Sequence, residues 1–256
     1  MYSGVGKYDE EVLRFVDNET IQICVFDETD FGGMSKERWF YNRHNTEVLS
    51  YVQYWLLRQI FNDKGIVYFM RKMDKTIKFP QWVYPYEKCI MNDLPLANPD
   101  ELFSRPVEIS FLGNVSPQRI SVCNELQRHF MCDFRLGQEK LPNDEWLQRH
   151  RNSKLFLTAD GGGFSDERSQ QLITISPMLR QKNNHLQANP FSDCVNCIEI
   201  SEHPTQEEVS NIKSIISDKE YLYEIYEEGV AHMKTYYTKE ARSLYILDIL
   251  KQNGII

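Results

Sequence analysis

Residues 154–168 read Lys-Leu-Phe-Leu-Thr-Ala-Asp-Gly-Gly-Gly-Phe-Ser-Asp-Glu-Arg, and their reading decides the fold class. Residues 154–159 form a short apolar run that suits a buried strand. The run stops at Asp160 and three glycines, Gly161, Gly162 and Gly163, where a backbone can approach a ligand closely because no Cβ intervenes. Phe164 follows, and Ser165 or Asp166 then caps a helix expected to reach about Arg180. Strand, glycine turn and helix start, in that order, belong to a βαβ unit of a parallel sheet. The helix start directs its free N–H groups and the positive end of its dipole at the turn, which suits phosphate. Arg168, in the first turn, has the forked geometry that pairs with phosphate oxygens. The same residues also fit an ordinary capped turn with a surface arginine. No Gly-Lys-Ser/Thr follows, so this is not a Walker A loop, and the glycine spacing is not the dinucleotide fingerprint.

Outward from this stretch the pattern recurs. Residues 107–112 predict a strand ending at Gly113-Asn114, and a helix follows from about 117 to 130. Its Ile120, Cys123, Leu126 and Phe130 share a stripe, and Arg119 lies in its first turn. A short strand at 133–136 ends at Gly137, a helix covers 143–152, and a last strand covers 196–200. Residues 205–252 read as helical, with breaks near Ser217-Asp218 and Tyr237-Thr238. In a parallel sheet the turns after its strands leave on one edge, so Gly113 and the triple glycine are expected to flank one crevice.

Upstream, a helical segment around Val12–Val16 precedes a β-branched strand over 20–26, which halts at Asp27-Glu28-Thr29-Asp30. A helix is expected over 45–62 and a strand over 66–70. Arg71, Lys72, Lys75 and Lys78 make a basic patch, and the aromatic, proline-marked stretch 79–88 reads as a linker that packs its own rings. Residues 92–106 hold three prolines and little periodicity, and a domain boundary is placed there. Asp27 and Asp30, at a strand's carboxyl end, suit a general base or a metal pair, and equally an Asx-turn or a cap. His44 is the alternative base.

Composition bounds these readings. The 256 residues carry 29 Lys+Arg against 37 Asp+Glu, a net charge of −8, with 41% hydrophobic residues. That excludes disordered and collagen-like classes and argues against holding nucleic acid by bulk charge. No apolar run approaches the ~20 residues of a membrane span. The polar N-terminus shows no secretory pattern, and six dispersed cysteines fit free thiols in a reducing compartment, so a cytoplasmic protein is expected. Cys194 and Cys197 have redox or zinc spacing, but no second pair completes a zinc site and the pair lies on a strand pattern.

Several stretches together resemble the C-terminal, donor-binding half of GT-B glycosyltransferases, in particular the group-1-like CgeB-type and exostosin-like branches. They are VEISFLGNVSPQR at 107–119, SKLFLTADGGGFSDERSQQ at 153–171, NCIEI at 196–200, and the helical run from Thr205 through Gly229 to the end. The segment VYFMRKMDKTIKFPQWVYPYEK at 67–88 is similar to the lead into that half. The resemblance implies an α/β, GT-B-like fold: two Rossmann-like parallel-sheet domains, a shortened acceptor-side domain at 1–100, and a nucleotide-sugar-binding domain with a helical C-terminus at 101–256. It implies transfer of a sugar from a nucleoside-diphosphate sugar, a UDP-sugar first, to a hydroxyl acceptor, with no cofactor and no metal. Gly113 and Asn114 would lie against the pyrophosphate or sugar. Arg119 and Arg168 would balance phosphate charge, and Gly162, Gly163, Phe164 and Ser165 would line the donor pocket. Gln171 stands where the family has a ribose-binding Glu. Asp27 or Asp30 would be the base of an inverting reaction. The acceptor could be a glycan, a small molecule, a protein or a 5-hydroxymethylated pyrimidine of DNA, as in phage base-modifying enzymes. A non-catalytic nucleotide-binding module is the reading from another class.

Overall fold

The computed structural model of the chain describes residues 24–27, 67–70, 73–74, 81, 83–86, 96–137, 141–159, 171–182 and 185–255. The chain divides into two compact units. Met1–Glu87, Asn184–Ala188 and Ser243–Ile256 form the first, and Lys88–Asn183 with Asn189–Arg242 form the second.

In the first unit, β1 (Cys24–Asp27), β2 (Val67–Met70) and, past the two-residue β3 (Met73–Asp74), β4 (Val83–Pro85) matter most. β1, β2 and β4 form a parallel sheet in the order β1-β2-β4, with Cys24 opposite Val67 and Tyr68 opposite Val83. The expected linker at 79–88 is corrected here, because its Val83–Pro85 is a strand. Aromatic and β-branched residues suit a pleated, half-buried surface, and Pro85, without an N–H, is tolerated on the outer strand. Val67 and Phe69 are fully buried and pack on Ile249, ringed by Tyr84, Tyr245, Ile246 and Leu250. The Tyr245 hydroxyl donates to the Pro85 carbonyl at 2.9 Å, fixing the C-terminal helix to β4 within this unit.

The second unit opens with α1 (Pro99–Phe103), capped by the Asn98 side chain, which accepts from the Glu101 N–H at 2.9 Å. Then come β5 (Val107–Gly113), α2 (Pro117–Gln127), β6 (Cys132–Leu136), α3 (Asn143–Arg151), β7 (Ser153–Thr158) and β8 (Met178–Gln181). β9 (His185–Leu186) belongs to the first unit and pairs there antiparallel with β3; β10 (Ile198–Ile200), α4 (Gln206–Ser217) and α5 (Lys219–Tyr236) complete the second unit, and α6 (Lys239–Gln252) belongs to the first from Ser243 onward. The helix breaks fall at Asp218 and Tyr237-Thr238, as the sequence implies. The Asp218 side chain caps α5 by accepting from the Glu220 and Tyr221 N–H groups.

β8 corrects a second expectation. The helix expected to reach Arg180 has Gln171–Leu172 as its last described residues, and Met178–Gln181 is a strand. Ile173, Thr174 and Ile175 are β-branched, and Pro177 biases Ser176 away from helical geometry. All four residues of β8 are buried, so the strand shows no alternation that would separate it from a buried helix.

The sheet order is β10-β8-β7-β5-β6, parallel throughout. Alternation sorts the side chains. Ile109, Phe111, Leu155, Leu157, Leu179, Ile198 and Ile200 join one core cluster with α2, α4 and α5 residues such as Leu126, Ile215 and Ile225. Phe156 and Met178 join the other, with Leu172, Ile173, Phe191, Met233 and Tyr237. Gly229 lets α5 approach the turn before β10, since a Cβ there would sit 2.9 Å from the Asn196 carbonyl oxygen.

Candidate functional site

β5 and β7 are parallel neighbours, with Ile109 opposite Leu155 and Ser110 opposite Phe156. Their carboxyl ends therefore leave on one rim. Gly113 ends β5, Ala159 follows β7, and Arg119 joins the two. The Arg119 Nε donates to the Ala159 carbonyl at 3.1 Å, and its Nη1 donates to the Asn114 carbonyl at 3.0 Å. The guanidinium carbon lies 5.5 Å from the centre of the Phe111 ring, and the residue is buried. Local chemistry sets this geometry. Extended Ser116 caps α2 by accepting from the Arg119 N–H at 3.2 Å, and Pro117 supplies a preset φ at the first helical position. Asn114 is exposed. On the neighbouring strand the Gly137 N–H donates to the Gly113 carbonyl at 3.0 Å. Gly137 has φ +67°, and a Cβ there would lie 2.4 Å from Val115 Cγ2.

Farther along the rim, Thr158, Arg180 and Glu199 stand in register on β7, β8 and β10. Arg180 is buried, 3.9 Å from Glu199 and 6.0 Å from the centre of the Phe191 ring. Lys182, just past β8, donates to Glu208 Oε1 at 2.8 Å. Burial alone would raise the Glu208 carboxyl, but Lys182, the Thr205 N–H and Ser201 outweigh it and hold the pKa at about 2. That carboxylate also completes a capping box with Thr205 at the start of α4. Lys182 and Arg180 are rim cations the sequence reading missed. β8 was read as helix, and a buried strand gives no period from which to place them.

Burial pushes the Cys123, Cys132 and Cys197 thiols up to about 12, so they are poor nucleophiles. Cys123, Cys132, Cys194 and Cys197 are free. Burial also lowers the His232 pKa, against its contact with the Asn189 carbonyl at 3.2 Å.

Gly113, Asn114 and Arg119 are thus brought together with Ala159, the residue before Asp160 and the triple glycine. Gln171 is half-buried at the start of the described part of its helix. Asp27 closes β1 in the first unit. Asp30, His44, Gly162, Gly163, Phe164, Ser165 and Arg168 lie outside the described residues, as does the helix expected over 45–62.

No protein-family model and no curated protein matches the sequence. Among solved structures, HepE of Anabaena, crystallised in complex with UDP, is similar with a TM-score of 0.57 at 9% identity, over 95% of this chain and 82% of that one. The fold is that of GT-B glycosyltransferases. Each unit carries a parallel sheet, β1-β2-β4 in the first and β10-β8-β7-β5-β6 in the second. Two further structures are similar at a TM-score of 0.43. One is the C-terminal domain of a group 1 family glycosyl transferase (LpcC) from Francisella tularensis, at 12% identity over 57% of this chain and 95% of that one. The other is TarM, at 11% identity over 97% of this chain and 47% of that one. Among the described residues, no helix is long and apolar enough to cross a membrane.

Proposed function

We propose that this chain is a glycosyltransferase that moves a sugar from a nucleoside-diphosphate sugar, a UDP-sugar first, to a hydroxyl acceptor. The observation that carries the reading is the rim at the carboxyl ends of β5 and β7, where Arg119 joins the Gly113-Asn114 turn to Ala159. In open α/β sheets, ligands bind at such strand ends. The GT-B fold and the UDP held by the similar HepE structure support the same ligand class.

In this reading Gly162, Gly163, Phe164 and Ser165 line the donor pocket, and Gln171 hydrogen-bonds the ribose hydroxyls. Arg168 and the helix start behind the glycines meet the charge that grows on the diphosphate as it leaves. The acceptor oxygen forms a bond to the anomeric carbon while the bond from that carbon to the diphosphate oxygen breaks. The acceptor proton passes to a carboxylate, Asp27 or Asp30, with His44 next in line. The step uses groups of the chain and the two substrates alone. The acceptor class remains a glycan, a small molecule, a protein or a hydroxymethylated pyrimidine of DNA.

A thermal-shift screen against UDP-, GDP-, ADP- and TDP-sugars tests the donor, because a ligand that binds only the folded form raises the melting temperature. A UDP-sugar should give the largest rise, and UDP should be released. A rise with no UDP release under any acceptor points to a non-catalytic nucleotide-binding module instead. For the base, Asp27→Asn or Asp30→Asn should lower turnover by roughly 10²–10⁴-fold with donor affinity nearly unchanged. Full rate in both variants would place the base elsewhere.

A further inference from the structure

We infer that Arg119 is a positioning residue of the donor rim: its guanidinium holds two turns in place through their main-chain carbonyls, and it serves the diphosphate through them. This deepens the donor-site reading above and rests on it. Spacing alone makes Arg119 a phosphate ligand, an arginine one turn past a glycine at a strand's end. The geometry gives its side chain different work. Nε and Nη1 each donate to a carbonyl, at 3.1 and 3.0 Å, and the two carbonyls belong to different turns. Asn114 directly follows Gly113, and Ala159 directly precedes Asp160 and the three glycines. The guanidinium carbon lies 5.5 Å from the centre of the Phe111 ring and the residue is 8% exposed, so the fork is held on its face as well as at its tip. The backbone of Arg119 is fixed in turn by the Ser116 cap.

This arrangement answers a specific need of a glycine turn. Three consecutive glycines have more conformational freedom than any other tripeptide, and a phosphate cradle built from them binds only after that freedom is lost. A charged donor on the Ala159 carbonyl fixes the end of β7 from which the glycines leave. The planar fork is what allows one side chain to reach two carbonyls in fixed directions. A lysine keeps the charge and lacks the fork.

Arg119→Lys and Arg119→Ala test the assignment, each measured against wild type. The first readout is amide hydrogen exchange without nucleotide. The second is calorimetry with UDP and with uridine. In both variants, exchange over 113–117 and 158–163 should rise by at least about tenfold while the strand cores 107–112 and 153–157 keep wild-type protection. The UDP dissociation constant should rise about tenfold or more in both variants, because the lysine restores charge without the fork. Three results overturn the inference. One is UDP affinity in Arg119→Lys within about twofold of wild type, which assigns the role to charge alone. Another is unchanged exchange over 158–163. The third is a rise spread evenly over the strand cores with UDP affinity of the folded protein intact, which makes the residue merely structural. If the alanine variant is insoluble, the lysine variant decides, since it keeps an aliphatic stem and the charge. The exchange measurement needs no nucleotide. Wild type that fails to bind UDP therefore sinks the donor reading while the exchange result still judges the clamp.

Discussion

Arg105 and Arg119 lie at opposite rims of the same parallel sheet, and both give their guanidinium groups to main-chain carbonyls. At the amino rim, Arg105 Nη1 donates to the Ile175 carbonyl at 2.7 Å and the Ser153 carbonyl at 3.1 Å. Its Nη2 pairs with Glu101 at 3.3 Å. Burial lowers its pKa, and Glu101 works against that loss. Around it runs a polar network. Ser176 Oγ lies 3.0 Å from Nη1, Ser153 Oγ lies 2.6 Å from Ser110 Oγ, and Ser110 Oγ lies 2.7 Å from His150 Nδ1. What Arg105 ties together is the start of β7 and the segment that enters β8, which are parts of the scaffold. What Arg119 ties together at the carboxyl rim is the residues that directly follow β5 and β7, Asn114 and Ala159. The same chemistry therefore serves the scaffold at one edge and, in the proposed reading, the shape of the donor rim at the other.

The largest effect that could break this contrast belongs to Arg105→Ala. It removes the Arg105 donor from the Ile175 carbonyl and one of two side-chain donors from the Ser153 carbonyl, and leaves Glu101 without its partner, which should cost about 3 kcal/mol in urea unfolding. UDP affinity of the folded fraction should stay within about twofold of wild type. Loss of UDP affinity as large as in Arg119→Lys would abolish the distinction between the rims.

Gly137→Ala sharpens the contrast from the carboxyl side. The backbone is left-handed there, and the added methyl would collide with Val115 on the turn beside Gly113. A cost of about 1–3 kcal/mol is expected, with weakened UDP binding alongside it. Wild-type UDP affinity in a destabilised variant would show that the turn's shape does not matter to the ligand.

The smallest effect belongs to Glu208→Gln, expected to cost about 1 kcal/mol at neutral pH through loss of the carboxylate charge opposite Lys182 and at the start of α4. The folded pKa of Glu208, about 2, lies below the ordinary carboxylate value. Its stabilisation is therefore complete above that ordinary value and lost as pH falls through about 2. Melting temperatures between pH 5 and pH 2 should fall more steeply in wild type than in the variant. Parallel curves would mean that Lys182, Ser201 and Thr205 do not hold the carboxylate as the geometry implies.

The two rims were unequally legible in the sequence. The carboxyl rim announced itself, because Gly113 and Gly137 stand where turns need them and Ser116-Pro117 spells a helix start. β5, α2, β6, α3, β7 and the two breaks in the C-terminal helices followed from the alternation of apolar residues and from caps. The amino rim gave no signal, since Arg105, Ser110, Ser153 and Ser176 are ordinary polar residues until a register aligns them. β8 was hidden for a related reason. A strand buried on both faces has no period, and the run from Leu172 to Arg180 matches a buried helix equally well. Val83–Pro85 was hidden behind prolines that punctuate more than they forbid. The role of Arg119 was half legible: spacing put it at the rim, but only the distances to Asn114 and Ala159 reveal what its fork holds.

The central claim is that the carboxyl rim of the second unit takes a nucleoside diphosphate, and calorimetric titration of UDP into wild type and Arg168→Ala tests it most directly. Wild type should bind UDP, and the variant should lose roughly 1.5–3 kcal/mol of that affinity, the range for hydrogen bonds to a charged partner. No heat of binding in wild type, or the same affinity in both proteins, would contradict it.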